Sequence, residues 1–214
     1  MADRYKNLVI GSGGAAKFIA WTLASQGEPT IAVDRAGIEL DSRGYIRVND
    51  RLETSAPDVW AMGDCAGSPQ FTHVSEDDFR IVRDNLAGGN RSTRDRIIPY
   101  CLFTDPELVH VGLNEAAAKS AGISYRILKL PMAAILRTRT HGDNRGMLKA
   151  LIGDDDRILG FTALGVEASE LMAGIHVAML AGMPYQTFRQ GVFAHPTTSE
   201  GLFSLFEATP VASA

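Results

Sequence analysis

A glycine-rich loop near the N-terminus restricts the fold of this chain more than any other feature. The apolar run Leu8–Ile10 stops at Gly11, and residues 14–25 have the apolar spacing of a helix that ends at Gly27. A second β-rich run covers residues 30–33. This order of strand, loop, helix and strand predicts a right-handed βαβ unit with two parallel strands.

The loop has the pattern G-x-G-x-x-A and consists of Gly11, Ser12, Gly13, Gly14, Ala15 and Ala16. The first glycine permits a tight turn, the second lets the backbone approach a pyrophosphate, and the small last residue lets helix and strand pack closely. Free N–H groups at the helix N-terminus attract phosphates. Asp34 follows the second strand, where a carboxylate can accept hydrogen bonds from ribose hydroxyls. The pattern favours dinucleotide binding, and a glycine-rich turn without a ligand is the alternative.

A second motif occupies residues 54–64, which read TSAPDVWAMGD. Residues 59–62 predict a buried strand that ends at Gly63 and Asp64, and ligands of parallel sheets lie at such strand ends. The segment resembles the second FAD-binding motif of the flavin-dependent disulfide reductases. That resemblance implies that Asp64 contacts the ribityl chain of FAD. A strand that ends in a Gly-Asp turn, with no ligand, is the alternative.

A third motif, FAHPTTSE, occupies residues 193–200. It is similar to the signature at the end of the interface domain of the same family. The resemblance implies that His195 reaches the other subunit's active site as acid and base for a dithiol, and that Glu200 orients its ring. Without the resemblance, Thr197 and Glu200 form a capping box for the last helix. Both interpretations stay open at the level of sequence.

The resemblance extends over nearly the whole chain. Residues 5–35 resemble the start of a mercuric reductase-like or dihydrolipoamide dehydrogenase-like protein, and residues 36–214 resemble the end of its NAD(P) domain and everything after it. Residues 71–79 and 103–107 favour the mercuric reductase-like branch. The chain is therefore identified as a member of the class I flavin-dependent pyridine nucleotide-disulfide oxidoreductases with a large internal deletion.

The resemblance implies an α/β plus α+β fold, with a truncated Rossmann-like FAD-binding domain followed by an α+β dimerisation domain. The first domain covers residues 1–95, divided into an N-terminal βαβ unit (1–35) and the segment of the second FAD motif (36–95); the second covers residues 97–214. Gly, Asn, Ser and Arg are frequent in residues 88–96, which favours a boundary there.

Periodicity predicts the elements of both domains. In the first, we expect a strand at 45–48 and a helix at 76–86. In the second, we expect strands at 109–112, 125–130, 147–152 and 158–164, and helices at 115–121 and 168–180. Asn114 is the expected cap of the earlier helix.

Family features that carry electrons are missing. In the family, a C-x-x-x-x-C helix follows the strand that ends at Asp34, but Arg35 is followed here by sequence that belongs far downstream. Cys65 and Cys101 lie 101 − 65 = 36 positions apart, and neither has a matching context. Because no second G-x-G-x-x-G loop is present, no NAD(P) site is visible. We expect no NAD(P)H-dependent disulfide reduction by this chain alone, so His195 and Glu200 have no dithiol to protonate in a homodimer.

Two functional hypotheses follow, and they belong to different classes. The first is a truncated flavoprotein oxidoreductase that binds FAD and forms a homodimer. The second is a non-catalytic module for homodimerisation, or for heterodimerisation with a full-length relative whose site His195 would complete. A remnant without a selected function is a third alternative. The substrate and the electron donor are not indicated.

Composition narrows the partners. The 214 residues carry a formal net charge of -4, and their Lys and Arg residues are scattered, which argues against nucleic-acid binding. No apolar run approaches the length of a bilayer span, and the polar N-terminus is not expected to be a signal peptide. Two cysteines cannot form a disulfide framework, which favours a cytoplasmic protein. No metal site is predicted.

Overall fold

The computed structural model describes residues 7–9, 19, 22, 23, 25, 26, 30–32 and 38–210. The chain divides into two compact units, residues 1–96 and residues 97–214. Within the described residues, no helix has both the length and the apolar character needed to cross a membrane.

The first unit begins with a parallel strand pair. Strand β1 (Asn7–Val9) lies beside β2 (Thr30–Ala32), with Asn7 opposite Thr30. Among the residues between these strands, Ile19 is helical and buried. The parallel pairing predicted from the glycine-rich loop and its flanking apolar runs is thus confirmed.

The two strands expected in the middle of the first unit do not form. Residues 45–48 and 59–62 each contribute only one isolated bridge, Leu40 to Ile46 and Glu53 to Trp60. Between these two segments the chain turns at Leu52 and Asp58, which have φ angles of 66° and 61°. A left-handed residue reverses the chain locally and interrupts the extended conformation that a strand requires.

A long helix, α1 (Thr72–Leu86), follows a short 3-10 turn at Gly63–Ala66. The helix begins four residues before the predicted start at residue 76. Its buried residues are Val74, Asp78, Ile81 and Val82, which recur at helical spacing on one face. Two of these residues, Ile81 and Val82, pack with Ile19 and Leu52 in a small apolar core.

The second unit is built on an antiparallel sheet. Its five strands are β3 (Tyr100–Leu102), β4 (Glu107–Gly112), β5 (Arg126–Pro131), β6 (Met147–Ile152) and β7 (Ile158–Gly165), in the order β3-β4-β7-β6-β5. Each of the last four overlaps a predicted strand. The three-residue β3 was not predicted, because so short a run carries no measurable alternation.

The second unit also contains five α-helices among its described residues. They are α2 (Glu115–Ser120), α3 (Leu136–His141), α4 (Ala168–Leu180), α5 (Gln186–Gln190) and α6 (Glu200–Glu207). The Asn114 side chain accepts a hydrogen bond from the Ala117 N–H at 2.8 Å, so the predicted cap of α2 is confirmed. Helix α4 packs on β4 and β7, and α6 packs on β5 and β6.

One continuous apolar core joins the sheet to α4 and α6. Its largest fully buried members include Phe161 of β7, Leu148 of β6, Ile175 of α4 and Phe206 of α6. Burial of each such side chain contributes about 1.5–3 kcal/mol. The core therefore fixes the start of α6, and with it the segment that carries the third sequence motif.

Candidate flavin and acid-base site

The second FAD motif ends in a tight turn. Gly63 is buried and has a φ angle of 71°, a left-handed conformation that favours glycine. A Cβ atom placed there would lie 2.9 Å from the Ser75 Oγ atom, so a larger residue is also excluded by space. Asp64 follows and is exposed. Within the described part of the chain, its carboxylate makes no hydrogen bond or ion pair, so it is available to a ligand hydroxyl.

A buried carboxylate lies directly behind this turn. Asp78 of α1 is 0% exposed, and its Oδ2 atom accepts hydrogen bonds from the Gly63 N–H at 2.8 Å and the Ser68 hydroxyl at 2.7 Å. Its Oδ1 atom accepts from the Arg96 guanidinium at 2.5 Å. Sequence reasoning did not identify Asp78. The signal was present, because Asp78 occupies the apolar stripe of Val74 and Ile81 on α1.

The third motif brings its histidine and glutamate together. The His195 Nδ1 atom lies 2.7 Å from the Glu200 Oε2 atom. The His195 side chain is 63% exposed, whereas that of Glu200 is 20% exposed. When the Nδ1–H group donates to Glu200, Nε2 is the nitrogen of the neutral ring that can take up a proton. A pair of this kind can act as general acid and base.

One half of the predicted capping box forms, although the residue directly before α6 is Ser199, whose side chain makes no capping hydrogen bond. The Glu200 backbone N–H donates to the Thr197 hydroxyl at 3.3 Å. The reciprocal half of a capping box, in which the glutamate side chain returns to the backbone, is replaced by its contact with His195. One residue therefore begins the helix with its backbone and orients an imidazole with its carboxylate.

A second glutamate, Glu167, holds the segment that carries His195. The Thr198 side chain is 5% exposed, and its hydroxyl donates to the Glu167 carboxylate. Glu167 precedes α4 with a φ angle of 58°, which a non-glycine residue rarely adopts. The contact ties the His195 segment to the beginning of α4. Sequence periodicity gave no signal for this contact, because the two residues are 31 positions apart.

Neither cysteine has the environment of an activated thiol. Burial, more than the nearby Asp64 and Asp78 carboxylates, raises the pKa of the Cys65 thiol. Burial and then the Glu107 carboxylate raise the pKa of the Cys101 thiol. Reactive thiols need the opposite shift, since the thiolate is the nucleophile. No group of three His, Cys, Asp or Glu residues that could hold a metal ion occurs among the described residues.

The remaining predicted site residues lie outside the described residues. They are Gly11, Ser12, Gly13, Gly14, Ala15, Ala16 and Asp34, which form the first dinucleotide motif. Their role stays a prediction from sequence. Gly63 with Asp64 belongs to the first unit, and His195 with Glu200 belongs to the second.

Comparison with known protein families decides the identity of both units. The dimerisation domain of the pyridine nucleotide-disulphide oxidoreductases matches residues 98–205, and the pyridine nucleotide-disulphide oxidoreductase domain matches residues 16–78. The chain belongs to this family. The predicted family and the predicted fold class, a Rossmann-like FAD-binding part followed by an α+β dimerisation domain, are both confirmed.

Individual relatives of this oxidoreductase-family chain support the assignment. The protein named "Probable pyridine nucleotide-disulfide oxidoreductase RclA" from Escherichia coli (strain K12) is 44% identical over 193 residues, which are 87% of this chain and 44% of the relative. The mitochondrial dihydrolipoyl dehydrogenase of Homo sapiens is 36% identical over 171 residues, 79% of this chain and 34% of the relative.

A solved structure has the same fold over most of the chain. The HOCl-induced flavoprotein disulfide reductase RclA from Escherichia coli has a TM-score of 0.76 at 41% sequence identity, covering 83% of this chain and 44% of that chain. The family member described here thus spans less than half the length of these relatives. Its matched parts contain the Gly63 turn and the His195–Glu200 pair.

Proposed function

We propose that this chain is an FAD-binding flavoprotein that dimerises through its second unit and does not, alone, catalyse NAD(P)H-dependent disulfide reduction. The observation that carries the proposal is the Gly63 turn, which presents an exposed Asp64 carboxylate with no partner among the described residues, in the context of the second FAD motif. Family membership supports it, because a similar solved protein is a flavoprotein. The two-cysteine composition supports a cytoplasmic location.

The described residues fit the sugar-like part of FAD. An exposed carboxylate that has no partner within the described residues can accept hydrogen bonds from ribityl hydroxyls. Gly11 to Ala16 would hold the pyrophosphate through helix N–H groups, and Asp34 would hold the ribose. When bound, FAD would supply the capacity to accept and pass on two electrons. The protein's own contribution is to bind and orient it.

The chain's own chemistry explains why complete turnover is not proposed. The sequence contains two cysteines, and they do not form a C-x-x-x-x-C pair. Both thiols have raised pKa values, so neither is poised as a thiolate near neutral pH. His195 and Glu200 form an acid-base pair at 2.7 Å, but this chain supplies no dithiol for them to protonate.

Association is proposed through the second unit. Its sequence matches a dimerisation domain, and it leaves large apolar side chains in solvent, with Phe103 82%, Val177 64% and Leu180 61% exposed. Apolar surface that remains exposed in a single chain is typical of interaction sites. We propose a homodimer as the leading assembly.

A heterodimer with a full-length relative is the second candidate. It is favoured by one observation, the intact His195–Glu200 pair in a chain without a redox-active cysteine pair. In such a heterodimer, the His195 imidazole would take a proton from a thiol, or give one to a thiolate, of a dithiol that belongs to the relative. Mixing the chain with a full-length relative should then give a mixed dimer by native mass spectrometry.

Addition of FAD to the purified protein tests the proposed function. We expect a flavin absorbance band that persists after gel filtration. Asp64→Asn should weaken binding about ten-fold or more, because it removes a charge-assisted hydrogen bond. Asp58→Asn is the matched control, since Asp58 is an exposed carboxylate of the same motif, and its binding should equal that of the wild type.

Further variants locate the cofactor and separate the two functions. Gly13→Val or Asp34→Ala should abolish flavin binding, whereas His195→Ala should leave it intact. The opposite pattern would place the cofactor elsewhere. A colourless dimer that does not bind added FAD would refute the flavoprotein hypothesis and favour the non-catalytic dimerisation module. FAD-dependent disulfide reduction with NADPH as donor would refute the proposed lack of turnover.

A further inference from the structure

The Gly63 turn is held by a charge pair that family motifs do not assign. We infer that Asp78, supported by Arg96, is a positioning residue that keeps the Gly63–Ser68 turn in the shape that receives the cofactor. The inference rests on the proposed FAD binding. It concerns how the site is shaped, and Asp78 itself does not touch the cofactor.

The contacts of Asp78 join the two ends of the turn. Its Oδ2 atom accepts from the Gly63 N–H at the first residue and from the Ser68 hydroxyl at the last. The backbone closes the same turn, because the Ser68 N–H donates to the Gly63 carbonyl at 3.3 Å and the Gly67 N–H donates to the Asp64 carbonyl at 3.0 Å. A single carboxylate oxygen thus bridges both ends of a loop six residues long, Gly63 to Ser68.

Arg96 allows this carboxylate to stay charged in the interior. Asp78 is 0% exposed, and the Arg96 side chain is only 15% exposed. An unpaired buried charge is strongly destabilising, but the guanidinium at 2.5 Å and two further donors satisfy the carboxylate. Because a charged acceptor binds N–H donors more strongly than a neutral one, the pair stiffens the turn.

Asp64 and Asp78 have different roles in this geometry. Asp78 fixes the backbone on either side of Asp64, while the Asp64 carboxylate makes no hydrogen bond within the described chain and remains exposed. A loop already ordered in its binding conformation loses less entropy when the ligand binds. Asp64 is thus presented to the cofactor. Asp78 orders the loop that carries Asp64 before the cofactor binds.

Neighbouring Asp77 provides a matched control. Its carboxylate pairs with Arg91 at 3.0 Å and reaches the same Arg96 at 3.4 Å, but it makes no contact with the turn among the described residues. Asp77→Asn and Asp78→Asn therefore remove one charge each from adjacent positions on α1. Only Asp78→Asn removes an acceptor from the turn, because an asparagine offers one acceptor oxygen and cannot serve both Arg96 and the turn.

The experiment measures amide hydrogen exchange in the full chain without FAD, and then FAD affinity by titration. For Asp78→Asn, we expect exchange at the Gly63 amide to rise about ten-fold or more and FAD to bind about ten-fold more weakly. For Asp77→Asn, both values should stay within about two-fold of the wild type. Ser68→Ala, which removes one donor and leaves the ion pair intact, is the second variant if Asp78→Asn does not fold. It should raise exchange across the turn by a smaller factor.

The outcomes separate this inference from the proposed function. If the wild type binds no FAD, the proposed function fails, and the exchange data still decide whether Asp78 holds the turn. If Asp78→Asn leaves Gly63 exchange and FAD affinity unchanged, the inference is overturned. Equal losses for Asp77→Asn and Asp78→Asn, with equal falls in global stability, would also overturn it, since they would indicate a general role in folding.

Discussion

The two units hold their candidate functional residues in place by different means. In the second unit, an apolar core that runs from the sheet into α6 fixes the helix that begins at Glu200. In the described part of the first unit, the apolar core is small, and the Gly63 turn is held by the hydrogen bonds and ion pair of Asp78. The His195–Glu200 pair therefore depends on packing, whereas the Gly63 turn depends on charge.

This difference predicts which perturbations each region tolerates. Packing is sensitive to volume and largely indifferent to pH and salt, whereas a buried carboxylate with its partners depends on their geometry and charge. Losses of stability in the apolar core of the second unit should therefore increase with the side-chain volume that a substitution removes. Losses of order in the Gly63 turn should increase with the number of hydrogen-bond acceptor atoms that a substitution removes from Asp78.

The largest effect is expected in the core of the second unit. Phe161→Ala removes a side chain that is 1% exposed, and it should lower the free energy of unfolding by about 3–5 kcal/mol. Phe161→Leu, which leaves a smaller cavity, should lower it by about 1–2 kcal/mol. Urea unfolding followed by tyrosine fluorescence and circular dichroism measures both, since the two tryptophans, Trp21 and Trp60, belong to the first unit. Equal effects of the two variants would contradict a close-packed core.

A smaller effect is expected where the second unit uses a polar contact. Thr198→Val keeps the shape but removes the hydroxyl that donates to Glu167, so it should lower the free energy of unfolding by about 1–3 kcal/mol. Thr198→Ser keeps the hydroxyl and should change it by less than about 1 kcal/mol. Imidazole ¹⁵N shifts of His195 report whether the loop moves. An unchanged stability in Thr198→Val would show that the Glu167 contact is dispensable.

The second unit should also lose some stability in acid through His110. This residue is 7% exposed, with its ring nitrogens 2.8 Å from the Thr162 hydroxyl and 3.0 Å from the Gly112 carbonyl. Burial lowers the pKa of His110 below its ordinary value of 6.5. The unfolded chain then binds the proton more readily, so this contribution is fully present above about pH 6.5 and is lost as the pH falls through the lower folded-state pKa.

Unfolding measured between pH 7.5 and pH 5 checks this expectation. His110→Gln should be less stable than the wild type at pH 7.5 and should show a weaker fall with acid over the same range. A wild-type stability that is flat or rises as the pH falls would contradict the assignment to His110.

The smallest effect is expected at an exposed ion-pair cluster. The Arg145 guanidinium and backbone N–H donate to Asp143 and hold the pKa of that carboxyl at about 2, below its ordinary 3.8. Any stability from this pair is present above about pH 3.8 and is lost as the pH falls through about 2. Carboxyl ¹³C titration by NMR should place the Asp143 midpoint near 2, and Arg145→Gln should move it toward 3.8. A midpoint unaffected by that substitution would refute the pairing.

Periodic elements with clear end signals could be predicted from the sequence. Helix α4 begins and ends at the predicted residues, Ala168 and Leu180, because its apolar spacing is regular. The cap at Asn114 was predicted because asparagine is a preferred residue at the start of a helix. The expected strands at 45–48 and 59–62 were wrong, because the left-handed residues Leu52 and Asp58 carry no composition signal that marks them.

The site was harder to predict where long-range contacts decide it. The closeness of His195 and Glu200 follows from their short spacing, and the resemblance implied it. Asp78 was missed although it lies on the apolar stripe of α1, because a charged residue is usually solvated, and the partners of Asp78 and His110 are known only from the fold. Glu167 reaches Thr198 across 31 positions, which no local pattern could reveal.

The edges of the five-stranded sheet limit how this molecule can associate. The β3 edge is three residues long, and the β5 edge carries exposed Lys129 and ends at Pro131, which has no backbone N–H to donate. Short edges, lysines and prolines discourage a neighbouring chain from adding a strand. A sheet that continues from one molecule into another is thus disfavoured at both edges. Association should therefore proceed through side-chain surfaces. It should stop at a closed, finite assembly instead of growing into fibres.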